Sequence, residues 1–355
     1  MEKMKVALIG QGRSGKDIHG KYLLSEDNKN VEVVYVVDEI LERRKIAEKD
    51  FGCQTFADYK ELFGKKDVDL VVNASYSQQH YEITKDLLEH GFNVLVEKPF
   101  SRTYRECSDL INIAKKNNVI VAAFHQTLYA PSYKGIRDII NSGKLGEVFQ
   151  ISLKYSGYAR RWDWQTLQSH CGGSVYNSGP HPIGQALAFL GWDKNVRVEY
   201  SKLQTVITSG DAEDYGKIIL ACPNKPTIDI EICSVDAYSD FVFKIYGSKG
   251  TLKATNGEYS MKYVDLDALE PRPIIKTALM DENFAPLYCS EKLDFIEESG
   301  KFEGSSFDSA VKEFYDMMYD TVKLGKPLSV TPEMAAEVIR IIETCHAENP
   351  LPVKF

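Results

Sequence analysis

The fold of this chain is decided by the stretch Gly10-Gln11-Gly12-Arg13-Ser14-Gly15, which directly follows an apolar, strand-like run. Between a strand and a helix, the first glycine permits a tight turn and the second lets backbone approach a pyrophosphate, while the third lets helix and strand pack closely. Asp38 ends the next predicted strand, where a carboxylate can bind ribose hydroxyls and repel a 2′-phosphate. The sequence therefore predicts NAD as cofactor, and Arg43 and Arg44 further along leave NADP open.

Short apolar runs and helical segments alternate over the first 124 residues. The runs are apolar on both faces, as is typical of strands buried in a parallel sheet. The predicted strands are residues 5–9, 31–37, 70–74, 93–96 and 119–124. Helices are predicted from a capping Ser77 to Gly91 and over residues 103–116. This order predicts an α/β protein in which residues 1–124 form a doubly wound Rossmann domain.

The pattern changes after residue 124, because strand-like runs now follow one another with few helices between them. A helix is predicted at 132–140, followed by strands at 148–158, 196–208, 215–221, 227–236 and 240–246. Residues 256–303 have weak periodicity and are predicted to be rich in loops. Residues 125–355 are therefore expected to form an α+β domain on a large, open, mostly antiparallel sheet.

A closing helix is predicted to begin at Thr331 and Pro332, a capping residue followed by proline at the first helical position. The helix carries one apolar stripe, made of Met334, Val338, Ile341, Ile342 and Cys345. We interpret the stripe as core, and the helix can pack back on the first domain.

Composition and charge exclude several classes of function. The 355 residues carry 43 Lys+Arg against 51 Asp+Glu, a net charge of −8, so no large basic field attracts nucleic acid or an anionic membrane. The seven cysteines show no CxxC pair and no zinc-ligand spacing, so we expect reduced thiols and no metal site. No apolar run has the length of a membrane span or a signal-peptide core. We expect a cytoplasmic protein that binds a small molecule.

Two further segments carry groups suited to proton transfer. Lys98 lies in Glu97-Lys98-Pro99 at the end of a predicted strand, the edge where open α/β sheets bind ligands. It can hold a hydroxyl, or take its proton if burial lowers the lysine pKa, and the proline permits a cis bond. Asn177 and His181 stand at i and i+4 of a predicted helix, where the imidazole can deprotonate a hydroxyl. An exposed turn lysine and a hydrogen-bonded core histidine are the structural alternatives.

Taken in order, these segments give the chain a resemblance to the glucose–fructose oxidoreductase / inositol dehydrogenase / MocA (Gfo/Idh/MocA) family along essentially its whole length. The matching segments are GQGRSG (10–15), NASYSQQH (73–80), VLVEKPF (94–100), GKLGEV (143–148), GGSVYNSGPH (172–181), FKIYGSKGTL (243–252) and TPEMAAEVIRIIE (331–343). The resemblance implies a Rossmann domain followed by a sheet domain that often forms the interface of a homodimer or homotetramer.

The resemblance also implies roles for single residues. It makes Lys98, Asn177 and His181 the catalytic set, although the family position of Asn177 is an aspartate and a second acidic position is Gly184 here. The residues it places around the cofactor are Gly10, Gln11, Gly12, Arg13, Ser14, Gly15, Asp38, Ser75, Tyr76, His80, Glu97, Lys98 and Gln126.

The expected activity is an NAD(P)-dependent oxidoreductase acting on a secondary alcohol of a sugar, inositol or related polyol. The expected substrate-binding residues are Lys98, Tyr158, Arg160, Arg161, Trp162, Trp164, Asn177 and His181. Aromatic faces can stack on sugar rings, and adjacent arginines also permit an acidic substrate; a packed loop is the structural alternative. Two other functions stay open: a non-catalytic NAD(P)-linked sugar sensor, and an NAD-dependent glycosidase of the same fold.

Overall fold

The first half of the chain forms a parallel sheet, in a computed structural model that describes residues 2–304 and 307–355. Its six strands are β1 (Met4–Ile9), β2 (Val31–Val37), β3 (Gln54–Phe56), β4 (Leu70–Asn73), β5 (Val94–Val96) and β6 (Val121–Ala123). All neighbours pair in parallel, in the order β3-β2-β1-β4-β5-β6. The chain changes direction across the sheet between β1 and β4, which is where doubly wound sheets bind ligands at their carboxyl ends.

An eight-stranded sheet forms most of the second half. Its strands are β7 (Val148–Ser156), β8 (Arg197–Gln204), β9 (Tyr215–Ala221), β10 (Thr227–Cys233), β11 (Phe243–Gly247), β12 (Gly250–Ala254), β13 (Glu258–Tyr263) and β16 (Ile296–Lys301). A separate small hairpin consists of β14 (Leu279–Met280) and β15 (Pro286–Leu287). The large sheet has the order β16-β13-β12-β11-β7-β10-β9-β8, and only β7 and β10 pair in parallel. The α/β class with a mostly antiparallel second sheet is therefore confirmed.

Helices cover both sheets. They are α1 (Lys21–Leu23), α2 (Leu41–Phe51), α3 (His80–Glu89), α4 (Tyr104–Asn117), α5 (Pro131–Asn141), α6 (Ser174–Asn177), α7 (Pro180–Phe189), α8 (Asp308–Leu324) and α9 (Pro332–Glu348). A π-helical segment occupies Arg13–Gly20, and single 3₁₀ turns occupy Tyr59–Leu62, Ser77–Gln79, Gln126–Tyr129, Trp164–Thr166, Gln168–His170 and Leu266–Ala268.

The last two helices tie the halves of the chain together. Phe314 and Met318 of α8 share a buried cluster with Val6 and Leu8 of β1, so α8 covers one face of the first sheet. The helix α9 contacts α4 on one side and α7 and β8 on the other. Four residues of its predicted stripe are fully buried, as expected for core; these are Val338, Ile341, Ile342 and Cys345. The boundary proposed at residue 124 falls just after β6 and stays a prediction.

The sequence missed several strands, and two local expectations were wrong. The region 256–303 is mostly irregular, as predicted, but it also contains β13 and β16, whose polar residues hide them from a search for apolar periodicity. The strands β3 and β12 were not predicted. Asn177 and His181 do not share one helix, because α6 ends at Asn177 and α7 begins at Pro180. Ser77 does not cap a helix, because it lies inside its own 3₁₀ turn and α3 begins at His80. In contrast, Thr103 and Thr331 cap α4 and α9 as their sequences suggest.

Within the described part of the chain, no helix combines the length and the apolar character needed to cross a membrane.

Candidate active site

The glycine turn has the geometry that its sequence predicts. Gly10 has a φ of +89°, and a Cβ built on it would lie 2.4 Å from the Ala74 carbonyl oxygen. A Cβ on Gly15 would lie 1.8 Å from the Gly10 carbonyl oxygen, so turn and helix touch backbone to backbone. A Cβ on Gly12 would meet no described atom within 4 Å. This open position fits a pyrophosphate, because the first N–H groups of the helical segment Arg13–Gly20 have no partners within it.

Asp38 ties the end of β2 to this turn. Its Oδ2 accepts a hydrogen bond from Gln11 N at 2.7 Å, and its Oδ1 accepts one from Ile40 N at 2.9 Å. The Arg43 guanidinium lies 3.6 Å from Oδ2, whereas Arg44 donates to the backbone carbonyl of Asp38. Each carboxylate oxygen can accept more than one hydrogen bond, so Asp38 retains capacity for ribose hydroxyls.

The loop after β4 is held by buried polar groups. Asn73 Oδ1 accepts a hydrogen bond from Ser75 Oγ at 2.7 Å. His80 lies between two backbone carbonyl oxygens, with Nδ1 2.7 Å from Pro99 O and Nε2 3.2 Å from Ser75 O, and burial lowers the pKa of His80. The geometry gives His80 a supporting role, and its direct contact with a cofactor stays a prediction. Tyr76 is exposed at the rim of the loop.

The Glu97 side chain is buried and points into the core. Its Oε1 accepts from His19 Nε2 at 3.2 Å and its Oε2 accepts from the backbone N of Lys98 at 3.0 Å, while His19 Nδ1 lies 2.8 Å from the Tyr315 hydroxyl. Burial raises the pKa of Glu97, but the His19 hydrogen bond and the Lys98 charge outweigh it and hold the pKa at about 2. A permanent carboxylate charge therefore lies beneath Lys98, whose peptide bond to Pro99 is cis.

Lys98 connects the first sheet to α6 of the second half. Its Nζ donates to Asn177 O at 3.1 Å and to Asn177 Oδ1 at 3.4 Å. Gln165 Nε2 donates to the same Oδ1 at 3.2 Å, and Arg161 Nη2 donates to Gln165 Oε1 at 2.5 Å. Arg161 also binds both carboxylate oxygens of Asp163, at 2.7 and 2.9 Å. Three of the predicted residues are thus joined in one hydrogen-bonded chain from Asp163 to Lys98.

His181 lies beside this chain. Burial, followed by the charges of Lys98 and His125, lowers the pKa of His181 to about 3. Burial likewise lowers the pKa of His125 to about 4. Thr127 Oγ1 lies 3.4 Å from His181 Nδ1, whereas His125 Nδ1 and Gln126 Oε1 are buried without partners in the described part of the protein. Both imidazoles are neutral at physiological pH and can accept a proton.

Of the loop expected to bind substrate, residues 158–164, only a part lies in the hydrogen-bonded chain around Lys98. Arg161 is half-buried within it, and half-buried Trp164 packs edge-on against Tyr76 with ring centroids 5.0 Å apart. The other predicted members are exposed to solvent outside the hydrogen-bonded chain; they are Tyr158, Arg160 and Trp162.

The sequence analysis missed the residues that support the site through hydrogen bonds from the interior of the protein. His19 and Tyr315 fix Glu97, and Glu213 Oε1 accepts from Val175 N at 2.9 Å in the first turn of α6. His346 of α9 lies against the other Glu213 oxygen. For Glu213, the one available sequence signal was its position as an acidic residue just before an apolar strand. Among residues 2–304 and 307–355, no group of His, Cys, Asp and Glu side chains is arranged to hold a metal ion.

Comparisons with known proteins identify the family and agree with the fold. Residues 4–125 match the oxidoreductase family with the NAD-binding Rossmann fold, and residues 133–253 match the GFO/IDH/MocA C-terminal domain. The scyllo-inositol 2-dehydrogenase (NADP(+)) IolW of Bacillus subtilis is 23% identical over 355 residues, covering 97% of this chain and 93% of that protein.

Solved structures show the same fold. An NAD-binding protein from Listeria innocua superimposes with a TM-score of 0.78 at 21% identity, with 100% of both chains covered. GenD2 from gentamicin A biosynthesis, solved in complex with NAD, superimposes with a TM-score of 0.77 at 20% identity over 98% of this chain and 94% of that one. Because the two family matches together span more than half of the chain, the protein belongs to the Gfo/Idh/MocA family of NAD-binding oxidoreductases.

Proposed function

We propose that this protein catalyses the reversible oxidation of a secondary alcohol of a sugar, inositol or related polyol, with NAD as the hydride acceptor. The observation that supports the proposal is the convergence of Lys98, Asn177 and His181 beside the carboxyl ends of the parallel strands and the open glycine turn. When bound, the nicotinamide cofactor supplies the hydride chemistry, and the chain's own residues bind the alcohol and move its proton.

In this proposal His181 accepts the hydroxyl proton, because its imidazole is neutral at physiological pH. Lys98 orients the same oxygen and stabilises the negative charge that develops on it. The Asn177 side-chain NH₂ binds a neighbouring substrate group, since its Oδ1 already accepts from Lys98 and Gln165. In the reverse direction the proton returns from His181 to the carbonyl oxygen.

For the cofactor we propose NAD over NADP. The Asp38 carboxylate at the end of β2 would repel a 2′-phosphate. The positive charge of the neighbouring Arg43 is partly neutralised by the same carboxylate. Arg44 is bonded to backbone carbonyls. NADP is the second candidate, because the name of the relative IolW includes NADP(+). Ser75, Tyr76 and Gln126 are proposed to line the nicotinamide half.

For the substrate side we propose Trp164 as the stacking surface for a sugar ring, since it already packs against Tyr76 beside the cluster. Contacts from the exposed residues Tyr158, Arg160 and Trp162 are also proposed, on the family resemblance alone.

We also propose a homodimer or homotetramer formed through the large sheet. Alternate residues of β9 and β10 point away from the buried core, and their charges pair across strands, as in Lys217 Nζ to Asp229 Oδ1 at 2.6 Å. This broad outer face is available for a second copy. Sedimentation equilibrium should give the mass of two or four chains, and a monomer at micromolar concentration would contradict the proposal.

The function is tested with a panel of inositols, aldoses, alditols and uronates, each with NAD or NADP, followed by NADH or NADPH absorbance. At least one substrate should reduce the cofactor, and the Lys98→Met variant should lose this activity while still binding NAD. Tight cofactor binding without reduction by any substrate would favour the sensor. Cleavage of a glycoside without release of free NADH would favour the glycosidase.

A further inference from the structure

The half-buried Lys98 ammonium contacts neutral acceptors rather than a carboxylate. Within residues 2–304 and 307–355 no Asp or Glu forms an ion pair with its Nζ, whose acceptors are two neutral oxygens of Asn177. Glu97 is adjacent in sequence, but its oxygens bind His19 and the Lys98 backbone N. Asp163 is occupied by the bidentate hydrogen bonds of Arg161.

The groups around Asn177 offer hydrogen-bond donors to a ligand. Its Oδ1 already accepts from Lys98 and Gln165, and its side-chain NH₂ has no acceptor among the described residues. Arg161 binds Asp163 and Gln165 through Nε and Nη2 and leaves Nη1 without an acceptor in the same part of the chain. An amide NH₂ and a guanidinium NH₂ are both donors from which carboxylate oxygens can accept hydrogen bonds.

The charges facing Lys98 leave a positive excess. Burial is the main cause that lowers the pKa of Lys98; the Glu97 charge opposes this effect, and the charges of Arg13 and Arg161 add to it. His181 and His125 are neutral. Two acids line the same pocket as Arg161 and Asn177. Glu213 is paired with His346 and Val175 N, and the Asp214 charge is stabilised by three backbone N–H groups.

We propose that the substrate of this site carries a carboxylate, bound by the Asn177 and Arg161 NH₂ groups beside the Lys98 ammonium, so that the substrate class is a polyhydroxy acid. This inference rests on the proposed function and narrows it. Glu97 offsets only part of the positive charge of Lys98, Arg13 and Arg161. The single charge of a carboxylate fits the remaining excess better than a phosphate group, which carries more negative charge at neutral pH. Asn177 then determines specificity, because an aspartate at this position would pair with Lys98 and repel the ligand.

The test uses pairs that differ at one carbon, which is a carboxylate in the acid and a hydroxymethyl group in the neutral partner: D-glucuronate with D-glucose, D-galacturonate with D-galactose, and D-gluconate with D-glucitol. Binding to the protein saturated with NADH, which cannot accept a hydride from these alcohols, is measured by isothermal titration calorimetry. In at least one pair the acid should bind about tenfold more tightly than the neutral partner, and only the binding of the acid should weaken with added salt. Asn177→Asp should reverse the preference. Asn177→Ser, which adds no charge, should keep it even if both ligands bind more weakly.

Several outcomes would overturn the inference. These are equal or tighter binding of the neutral partner in all pairs, no binding by any acid, an unchanged preference in Asn177→Asp, or a preference lost equally in Asn177→Ser. Glucose 6-phosphate binding more tightly than every carboxylate would replace the carboxylate with a phosphate. The proposed function fails separately, because an acid that binds as expected without any NADH formation contradicts only the dehydrogenase activity. Turnover of neutral polyols without a preference for acids contradicts only this inference.

Discussion

Half-buried His346 and buried Glu213 form a hydrogen-bonded pair, ionic when His346 is protonated, that fixes the start of α6 to the closing helix α9. His346 Nε2 lies 3.3 Å from one Glu213 oxygen, and the other oxygen accepts from Val175 N at 2.9 Å. Burial disfavours the charged imidazole, but the hydrogen bond and charge of Glu213 outweigh burial and raise the pKa of His346. Because α6 ends at Asn177, a pair separated by 133 residues in sequence positions a proposed active-site side chain.

The ion pair should make stability depend on pH. A raised pKa in the folded protein means that the stabilisation is complete below the ordinary value of 6.5 and is lost as pH rises through the folded-state pKa. His346→Gln keeps a donor but cannot titrate, so it should lower the free energy of unfolding by about 1–3 kcal/mol in mild acid. Urea unfolding over a range of pH should show this difference shrinking towards alkaline pH. A difference that does not change with pH would contradict the ion pair.

The two glycines of the turn should respond differently to a methyl group. Gly15→Ala places a Cβ 1.8 Å from the Gly10 carbonyl oxygen, so we expect unfolding to become easier by about 1–3 kcal/mol and NAD binding to be lost. Gly12→Ala is the matched control: its Cβ enters open space at a φ of −75°, so stability should change by less than about 0.5 kcal/mol. NAD affinity should still fall about tenfold or more, because the methyl lies where a pyrophosphate approaches. Thermal unfolding and calorimetric titration separate the two effects, and unchanged NAD affinity in Gly12→Ala would refute the placement of the pyrophosphate.

The Tyr315 hydroxyl should contribute to stability through His19. Tyr315→Phe removes the partner 2.8 Å from His19 Nδ1 and leaves a buried polar group unsatisfied, so we expect a loss of about 1–2 kcal/mol. Tyr22 provides the control, because its ring stacks on that of Tyr315 with the centroids 4.8 Å apart. Tyr22→Phe retains this ring contact without affecting His19. Equal effects of both substitutions on urea unfolding would show that the hydrogen bond contributes nothing.

The Asp38 carboxylate should set the choice of cofactor. Asp38→Asn removes the charge and keeps an acceptor for only one of the two backbone hydrogen bonds, so affinity for both cofactors can fall, but the preference for NAD over NADP should fall about tenfold or more. The ratio of the two dissociation constants measures this change. If the ratio is the same as in the unsubstituted protein, residues other than Asp38 determine the preference for NAD over NADP.

The pH profile of alcohol oxidation should lack a histidine transition. With the pKa of His181 lowered to about 3, kcat should not change near 6.5. Because the pKa of Lys98 is also lowered, activity should fall on the alkaline side before pH 10.5, as the ammonium loses its proton. A transition near 6.5, measured with the fastest substrate of the panel, would show that His181 titrates in the working enzyme.

The fold could be predicted to the extent that its signals are local. The bounds of β2 and β9 match the predicted ranges because compact apolar or alternating runs specify them. The glycine turn was likewise predictable, since steric demands within a few residues determine it. The strands β13 and β16 are polar and are held by pairing, β13 with β12 on one side and with β16 on the other, as in Lys262 with Glu297, and no local pattern reveals such pairing.

The site was predictable in its reactive groups but not in its supports. Lys98, Asn177 and His181 lie in recognisable segments, and Lys98 contacts Asn177 in the structure, while their catalytic roles stay a prediction. His19 and Tyr315 are 296 residues apart, so only the folded arrangement shows that they act together. The partly exposed substrate loop also could not be foreseen, because burial of Arg161 and exposure of Trp162 depend on neighbours distant in sequence.

The packing of α8 on the first sheet has a consequence for how the protein is made. Val6 and Leu8 are covered by Phe314 and Met318, so the cofactor-binding half is complete only when residues near the end of the chain have left the ribosome. During synthesis that apolar face has no cover from its own chain, and a fragment that ends at residue 124 would keep it uncovered. A premature stop before α8 would therefore leave this apolar face of the first sheet exposed to solvent.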